Sequence, residues 1–416
     1  MFSTSILGAV LGAASLCTAA HPGSHPFAHR IHARQQPDYG TAADPDTTEE
    51  VNPFLGKSYY VNPAYADKLE ETISAFLAQN DTLNAARTRT AQSIGTFVWV
   101  TSVAGLGDLD MTIKYARAVQ HQTKQKQIVS LVLYNLPDRD CSGGESGGEF
   151  SSAANGLELY KKTFVDPYAE KLMAAPDLDF AVIMEPDSMG NAITNMNVPF
   201  CASAAPIYEE GLAYAISKLQ ASHVHLYVDA ANGGWLGWPD SLPKATVAAQ
   251  FAKVLDLANQ NSTKEVKIRG FSTNVSNFNP YIATTRPSYT EFSTSYDELN
   301  YAKSLAPYLT SASLPTKFII DQGRSGLQGT RTSWGDWCNA KAGFGIRPTT
   351  DTNSTLVDSI VWAKPGGESD GACGPALDGQ TGPAAGMWWN EYTMDLVKNA
   401  NPPLTPTYPS CHASRK

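Results

Sequence analysis

Residues 180–184, FAVIM, form a run of five apolar residues that ends abruptly on Glu185-Pro186-Asp187-Ser188. The run is too short for a helix of ordinary length and does not alternate with polar residues. It predicts a strand buried on both faces, as in a parallel sheet covered by helices. Pro186 has no amide N–H for a ladder and pushes Glu185 into an extended conformation, so the chain must leave the sheet here. Two carboxylates therefore stand at the carboxyl end of a buried strand, where α/β architectures assemble their sites. A carboxyl group held against apolar walls has a raised pKa, which a general acid near neutral pH requires. The plain structural alternative is that Asp187 caps the next helix.

Similar runs recur at 96–100, 128–134, 224–228, 266–271, 317–320 and 359–362. Helix-period stretches separate them, among them 111–122, 157–173, 205–219, 246–258 and 296–308. Strands divided by helices predict a parallel sheet, and seven with crossover connections suit a closed or nearly closed α/β barrel. An open doubly wound sheet is the alternative, weakened because no Gly-rich phosphate loop follows any strand. Composition is even from 51 to 401, with no linker or fixed repeat, so this stretch is expected to be one catalytic barrel.

The ends differ. Residues 1–20 read as a secretory signal peptide, and 21–50 as a propeptide ending at Arg34 followed by a flexible arm. Residues 402–416 read as a C-terminal tail. A secreted, extracellular protein is expected, with no membrane span, since no later stretch is long and apolar enough. Loss of Cys17 with the signal leaves five cysteines. Pairing neighbours gives Cys141 with Cys201 and Cys338 with Cys373, leaving Cys411 in the tail. Sequons stand at Asn80, Asn261, Asn274 and Asn353. A formal charge of −9 argues against nucleic acid as a partner and favours a neutral substrate. Half of the eight histidines are N-terminal and no HExxH or CxxC spacing occurs, so neither a metal nor another cofactor is expected.

A parallel barrel gathers the carboxyl ends of its strands on one face. The first ends at Trp99 with Thr101 just beyond, the second in Tyr134 followed by Arg139 and Asp140, and the third at Asp187. The fourth delivers Asp229, Asn232, Trp235 and Trp238, and the fifth Asn274. The sixth brings Arg324, with Trp334 and Trp337 downstream, and the seventh brings Lys364, Glu368 and Asp370. Flat rings flanked by carboxylates, amides and cations suit a sugar chain, whose ring faces stack on Trp while its hydroxyls need partners. Several Asp residues at one site suit acetal cleavage, one protonating the leaving oxygen and another assisting water.

YNLPDRDC (134–141) and VIMEPDSMG (182–190) resemble the two signature motifs of glycoside hydrolase family 6, which holds fungal cellobiohydrolases acting from the non-reducing end and endo-β-1,4-glucanases. YVDAANGGWLGWP, TNVSNFN, DQGRSG, WGDWCN, GFGIRP and VWAKPGGESDG follow in the family's order, so the resemblance covers about 52 to 401. It implies a distorted parallel seven-stranded (β/α) barrel with loops roofing a cleft or tunnel, and hydrolysis with inversion. By motif, Asp187 resembles the proton donor, Asp140 its partner carboxylate, and Asp370 the position often proposed as base. Trp99, Trp235, Trp337, Asn274, Lys364 and Glu368 match sugar-contacting positions, and Ser146 matches a loop serine that helps to hold the water.

Three departures stand out. Met189 replaces Leu or Ile, and Asn232 occupies a position commonly His. The 369–387 loop is shorter than in typical fungal cellobiohydrolases, which implies a more open tunnel. The chain is expected to act as a monomer that releases mainly cellobiose from cellulose or soluble β-1,4-glucan. An endo-β-1,4-glucanase with an open cleft is the near alternative, and a non-catalytic carbohydrate-binding protein the remote one.

Overall fold

Each buried run finds its place in one all-parallel sheet. The computed structural model describes residues 51–243, 250–373 and 380–409; the expected signal peptide, propeptide, arm and Cys411 lie outside them. Among the described residues the strands are β1 (Ser58–Tyr59), β2 (Val98–Val100), β3 (Gln127–Leu133), β4 (Asp179–Met184), β5 (Val224–Asp229), β6 (Gly270–Thr273), β7 (Phe318–Asp321) and β8 (Val357–Val361). The order runs β1-β3-β4-β5-β6-β7-β8, with β2 also on β3. β1 pairs with the start of β3 and β2 with its end, so two short strands share one edge.

The sheet curls into a distorted barrel. Its edges meet through one main-chain bond, Phe97 N–H to the Trp362 carbonyl at 3.1 Å. Side chains bridge the rest: Trp99 Nε1 donates to Ala363 O at 2.8 Å, and Tyr59 shares a 2.7 Å bond with Ser359 Oγ. Period-2 geometry sends alternate residues to opposite faces. Ile128, Val132, Ala181, Ile183, Tyr227 and Ile319 fill the interior. Leu131, Val182, Met184, Leu226 and Ile320 pack outward under helices such as Leu106–Thr123 and Pro199–Lys218.

Sequence and structure part in several places. The two-residue β1 is too short to leave a pattern. β6 begins at Gly270 instead of 266. The helices Pro63–Ala78 and Thr82–Ala91 were not among the stretches read as helical. Both expected disulfides are present, Cys141–Cys201 and Cys338–Cys373. The sequon at Asn274 is fully buried, whereas Asn80, Asn261 and Asn353 are exposed.

The register shift between β7 and β8 at Phe318/Ile319 accompanies an inward turn of Asp358. Its carboxylate accepts from Tyr227 Oη at 2.8 Å and binds Arg269 through Nε and Nη2, each at 2.8 Å. All three groups are buried. Asp358→Ala would remove the carboxylate shared by a buried guanidinium and a buried hydroxyl and is expected to lower stability by about 3–5 kcal/mol. Urea unfolding checks this, and a loss under about 1 kcal/mol would show that the pair is dispensable.

Candidate active site

The strand ends do not run smoothly into their loops. Asp138 and Asp140 after β3, Glu185 and Asp187 after β4, Ala231 after β5, and Asn274 and Ser276 after β6 all have positive φ. Left-handed backbone costs non-glycine residues about 1 kcal/mol or more each and persists only where the surroundings impose it. At Asp187, Ala231 and Ser276 the amide is held by a buried carboxyl, and such carboxyls recur around these turns. Glu185 accepts the amides of Asn135 and Leu136 and the Tyr160 hydroxyl. Asp229 accepts the amides of Asp187 at 3.0 Å and Ala231 at 3.1 Å. Asp321 accepts those of Ser276, Gly323, Ala363 and Lys364. Glu298 accepts Gly233 N–H at 3.0 Å.

These turns aim Asp187 into a cavity of about 600 Å³. Asp187 precedes the helix Ser188–Thr194, but its side chain makes no capping bond, which sets aside the plain structural reading. Its pKa is raised well above the carboxyl range, chiefly by loss of solvent, then by the charges of Asp229 and Asp140, with Lys364 opposing. Burial and the neighbouring carboxylates thus favour the protonated form of a group that faces the cavity.

Asp140 faces the same cavity. Its Oδ2 accepts from Ser146 N at 2.7 Å and Ser146 Oγ at 3.0 Å, and Oδ1 from Gly143 N at 3.2 Å. Ser146 Oγ also lies 2.9 Å from Tyr134 Oη, completing a hydroxyl chain that ends on Asp140. Asp370 is more deeply set. Its Oδ2 accepts from Arg324 Nη1 and Asn339 N, each at 2.9 Å, and Oδ1 lies 4.0 Å from Lys364 Nζ. Arg324 is wholly buried, and burial lowers the Lys364 pKa.

Trp99, Trp235, Trp334 and Trp337 line the cavity with Asn232. Gly190 and Gly234 make room for two of these rings: a Cβ on Gly190 would lie 3.0 Å from Trp235, and one on Gly234 2.1 Å from Trp334. Trp235 is pinned by Nε1 to Thr194 Oγ1 at 2.7 Å. Trp337 is 38% exposed. Thr101, Arg139 and Glu368 line a second cavity that shares Trp99, Tyr134, Ser146 and Lys364 with the first.

Four expected sugar contacts sit behind the wall instead. Asn274 is buried, its amide bonded to the Asn279 and Asp321 carbonyls. Asp229 and Arg324 support the carboxyl-bearing loops. Trp238 stands edge-on behind Trp334, ring centres 6.3 Å apart, with Nε1 on Gly234 O. Arg139 lines the wall, but its guanidinium is committed to the carbonyls of Ser146, Thr101 and Tyr134. Trp334, three residues before Trp337, takes the place expected of Trp238; the repeated Trp of WGDW was the available signal.

Glu145 was also missed. It reaches from the loop after Cys141 across to the shortened loop, where Oε2 accepts Ala372 N–H at 3.0 Å. This bond links the two loops where both are described. Loop length alone does not reveal which side chain spans the gap.

Burial pushes Glu185, Asp229 and Glu298 each up to about 7. A carboxyl with a higher pKa folded than unfolded binds more protons when folded, so stability falls as pH rises between the two values. The lowered carboxyls, Asp81, Asp177, Asp179 and Asp336, the last two at about 2, act only below that window. The melting temperature is thus expected to fall from pH 4.5 to 7.5, an interval of about three units that spans these transitions. Glu298→Gln, which cannot ionise, should flatten the slope. Calorimetry across this range decides, and a Tm that climbs with pH would contradict the assignment.

The model of glycosyl hydrolases family 6 matches residues 54–400. A 1,4-beta-D-glucan cellobiohydrolase, CEL6B of Podospora anserina, is 55% identical over 359 residues, covering 86% of this chain and 84% of that protein. Endoglucanase-6B of Humicola insolens is 50% identical over 352 residues, covering 84% of this chain and 98% of its own. The crystal structure of CcCel6C, a family 6 enzyme from Coprinopsis cinerea, superposes with a TM-score of 0.82 at 48% identity. That alignment covers 86% of this chain and 100% of the other.

Proposed function

This chain belongs to glycosyl hydrolases family 6, and on that premise we propose a secreted, inverting hydrolase of β-1,4-glucan chains, cellobiohydrolase-like in its products. The observation that carries the reading is Asp187: an uncapped carboxyl, its pKa raised by burial and neighbouring carboxylates, aimed into a cleft walled by tryptophans. In this reading the rings hold the faces of successive glucosyl units. Asp187 protonates the departing glycosidic oxygen while water attacks the anomeric carbon from the opposite side, so configuration inverts. Ser146 Oγ, poised between Tyr134 and Asp140, passes the water's proton toward Asp140. The Asp140 charge also helps to keep Asp187 protonated. Asp370, neutralised by Arg324, holds the wall and compensates the buried cation.

Asp187→Asn keeps the shape but cannot donate a proton. Turnover of cello-oligosaccharides is expected to fall by roughly 10² to 10⁴-fold, with oligosaccharide binding retained by calorimetry. Near-unaltered turnover would remove Asp187 from the chemistry.

The cellobiohydrolase-like reading rests on the Glu145–Ala372 bridge over the cleft. The competing endoglucanase reading is favoured by the short 369–387 loop and by the 50% identity to Endoglucanase-6B. Release of cellobiose from amorphous cellulose, with slow viscosity loss on a soluble cellulose derivative, supports the former. Glu145→Ala is expected to raise the share of insoluble reducing ends by letting chains enter sideways. Rapid viscosity loss by the unaltered enzyme, unchanged in Glu145→Ala, would favour the endoglucanase.

A further inference from the structure

Trp99 lines both cavities, whereas Asp187 and Trp235 line only the first. The second, of about 460 Å³, therefore extends the cleft past Trp99 on the side remote from Trp235. One wall is the helix Leu106–Thr123, and another is the start of the helix Pro63–Ala78. Met111 and Tyr115, one turn apart on the first helix, face this space and are each 44% exposed. Large apolar side chains left open along a concave wall mark a ligand surface more often than a defect of folding.

The polar groups around them are suited to a neutral ligand. Lys68 Nζ is paired with Glu368 at 2.7 Å, and Arg139 is committed to main-chain carbonyls. Asp108 stands at the rim, and Asn62 begins the second wall. An aromatic ring and a thioether for an apolar ring face, with paired charges and an amide for hydroxyls, match a hexopyranosyl unit.

We propose that this cavity binds a further glucosyl unit of the same chain beyond Trp99, with Tyr115 as its stacking ring. This rests on the glucan reading above and extends it. A chain that continues past Trp99 can be cut further from its end. Part of the product is then longer than cellobiose, and an internal segment can be seated without a free end at Trp99.

The test uses the full chain carrying Asp187→Asn, which keeps the cleft without turnover, and calorimetric titration with cellotriose, cellotetraose, cellopentaose and cellohexaose. Adding Tyr115→Ala is expected to weaken only the longest oligosaccharides, by about fivefold, and to leave the shortest unchanged. Met111→Ala, a second exposed substitution, should act in the same direction. In the active enzyme, Tyr115→Ala should lower the share of products longer than cellobiose from cellohexaose. Equal weakening at every length, or none at any length, overturns the subsite. Hydrolysis of cellohexaose by the unaltered enzyme is scored separately. No sugar release there defeats the glucanase reading, whereas release combined with a length-independent Tyr115 effect defeats only the subsite.

Discussion

Buried carboxylates at the strand ends hold this structure's working face together. Glu185 at the end of β4 collects amides from the loop after β3, and Asp229 on β5 holds the amide of Asp187 after β4. Asp321 on β7 gathers amides from the loops after β6 and β8. Each carboxylate thus staples a neighbouring strand's loop, and Asp229 and Asp321 hold their own as well. Of the left-handed residues at these turns, Asp187, Ala231 and Ser276 give their amides to these carboxylates and not to a strand. Without an acceptor those amides would be buried and unpaired, at about 1–3 kcal/mol each.

The same arrangement sets the electrostatics. Several carboxyls brought together out of water cannot all ionise cheaply, so their pKa values rise. Asp187 shares this effect with Asp229, but Asp229 spends its oxygens on two amides and the Ser272 hydroxyl while Asp187 leaves its own facing the cleft. A device that fixes the loops therefore also supplies a neutral acid. Arg324 and Lys364 balance the field on the opposite wall, where Asp370 lies.

The aromatic walls obey a packing constraint as well as a chemical one. Trp235 and Trp334 lie flat because Gly190 and Gly234 present no Cβ beneath them. Trp99 is held by Ala363 across the barrel seam, so the incomplete closure of the sheet fixes a ring of the cleft. The weakest strand contact in the barrel thus lies beside a surface that has to accept a ligand.

Much of this was legible in the chain itself. Short continuous apolar runs divided by helix-period stretches determined the parallel sheet, and Pro186 after Glu185 determined where β4 must stop. The strand-end residues Asp140, Asp187, Asp370, Trp99, Trp235 and Trp337 were identifiable because a parallel barrel necessarily collects such positions on one face. The direction each side chain takes was not. Asp229, Asn274 and Arg324 turn inward because amides, carbonyls and carboxylates from loops dozens of residues away need them. Trp334 displaces Trp238 because one ring packs on Gly234 and the other behind it. The Glu145–Ala372 bridge and the cavity beyond Trp99 depend on loops and helices distant in sequence meeting in space. Local pattern specifies which residues arrive at the face; partners from elsewhere in the chain decide which of them are satisfied within the wall and which are left to meet a ligand.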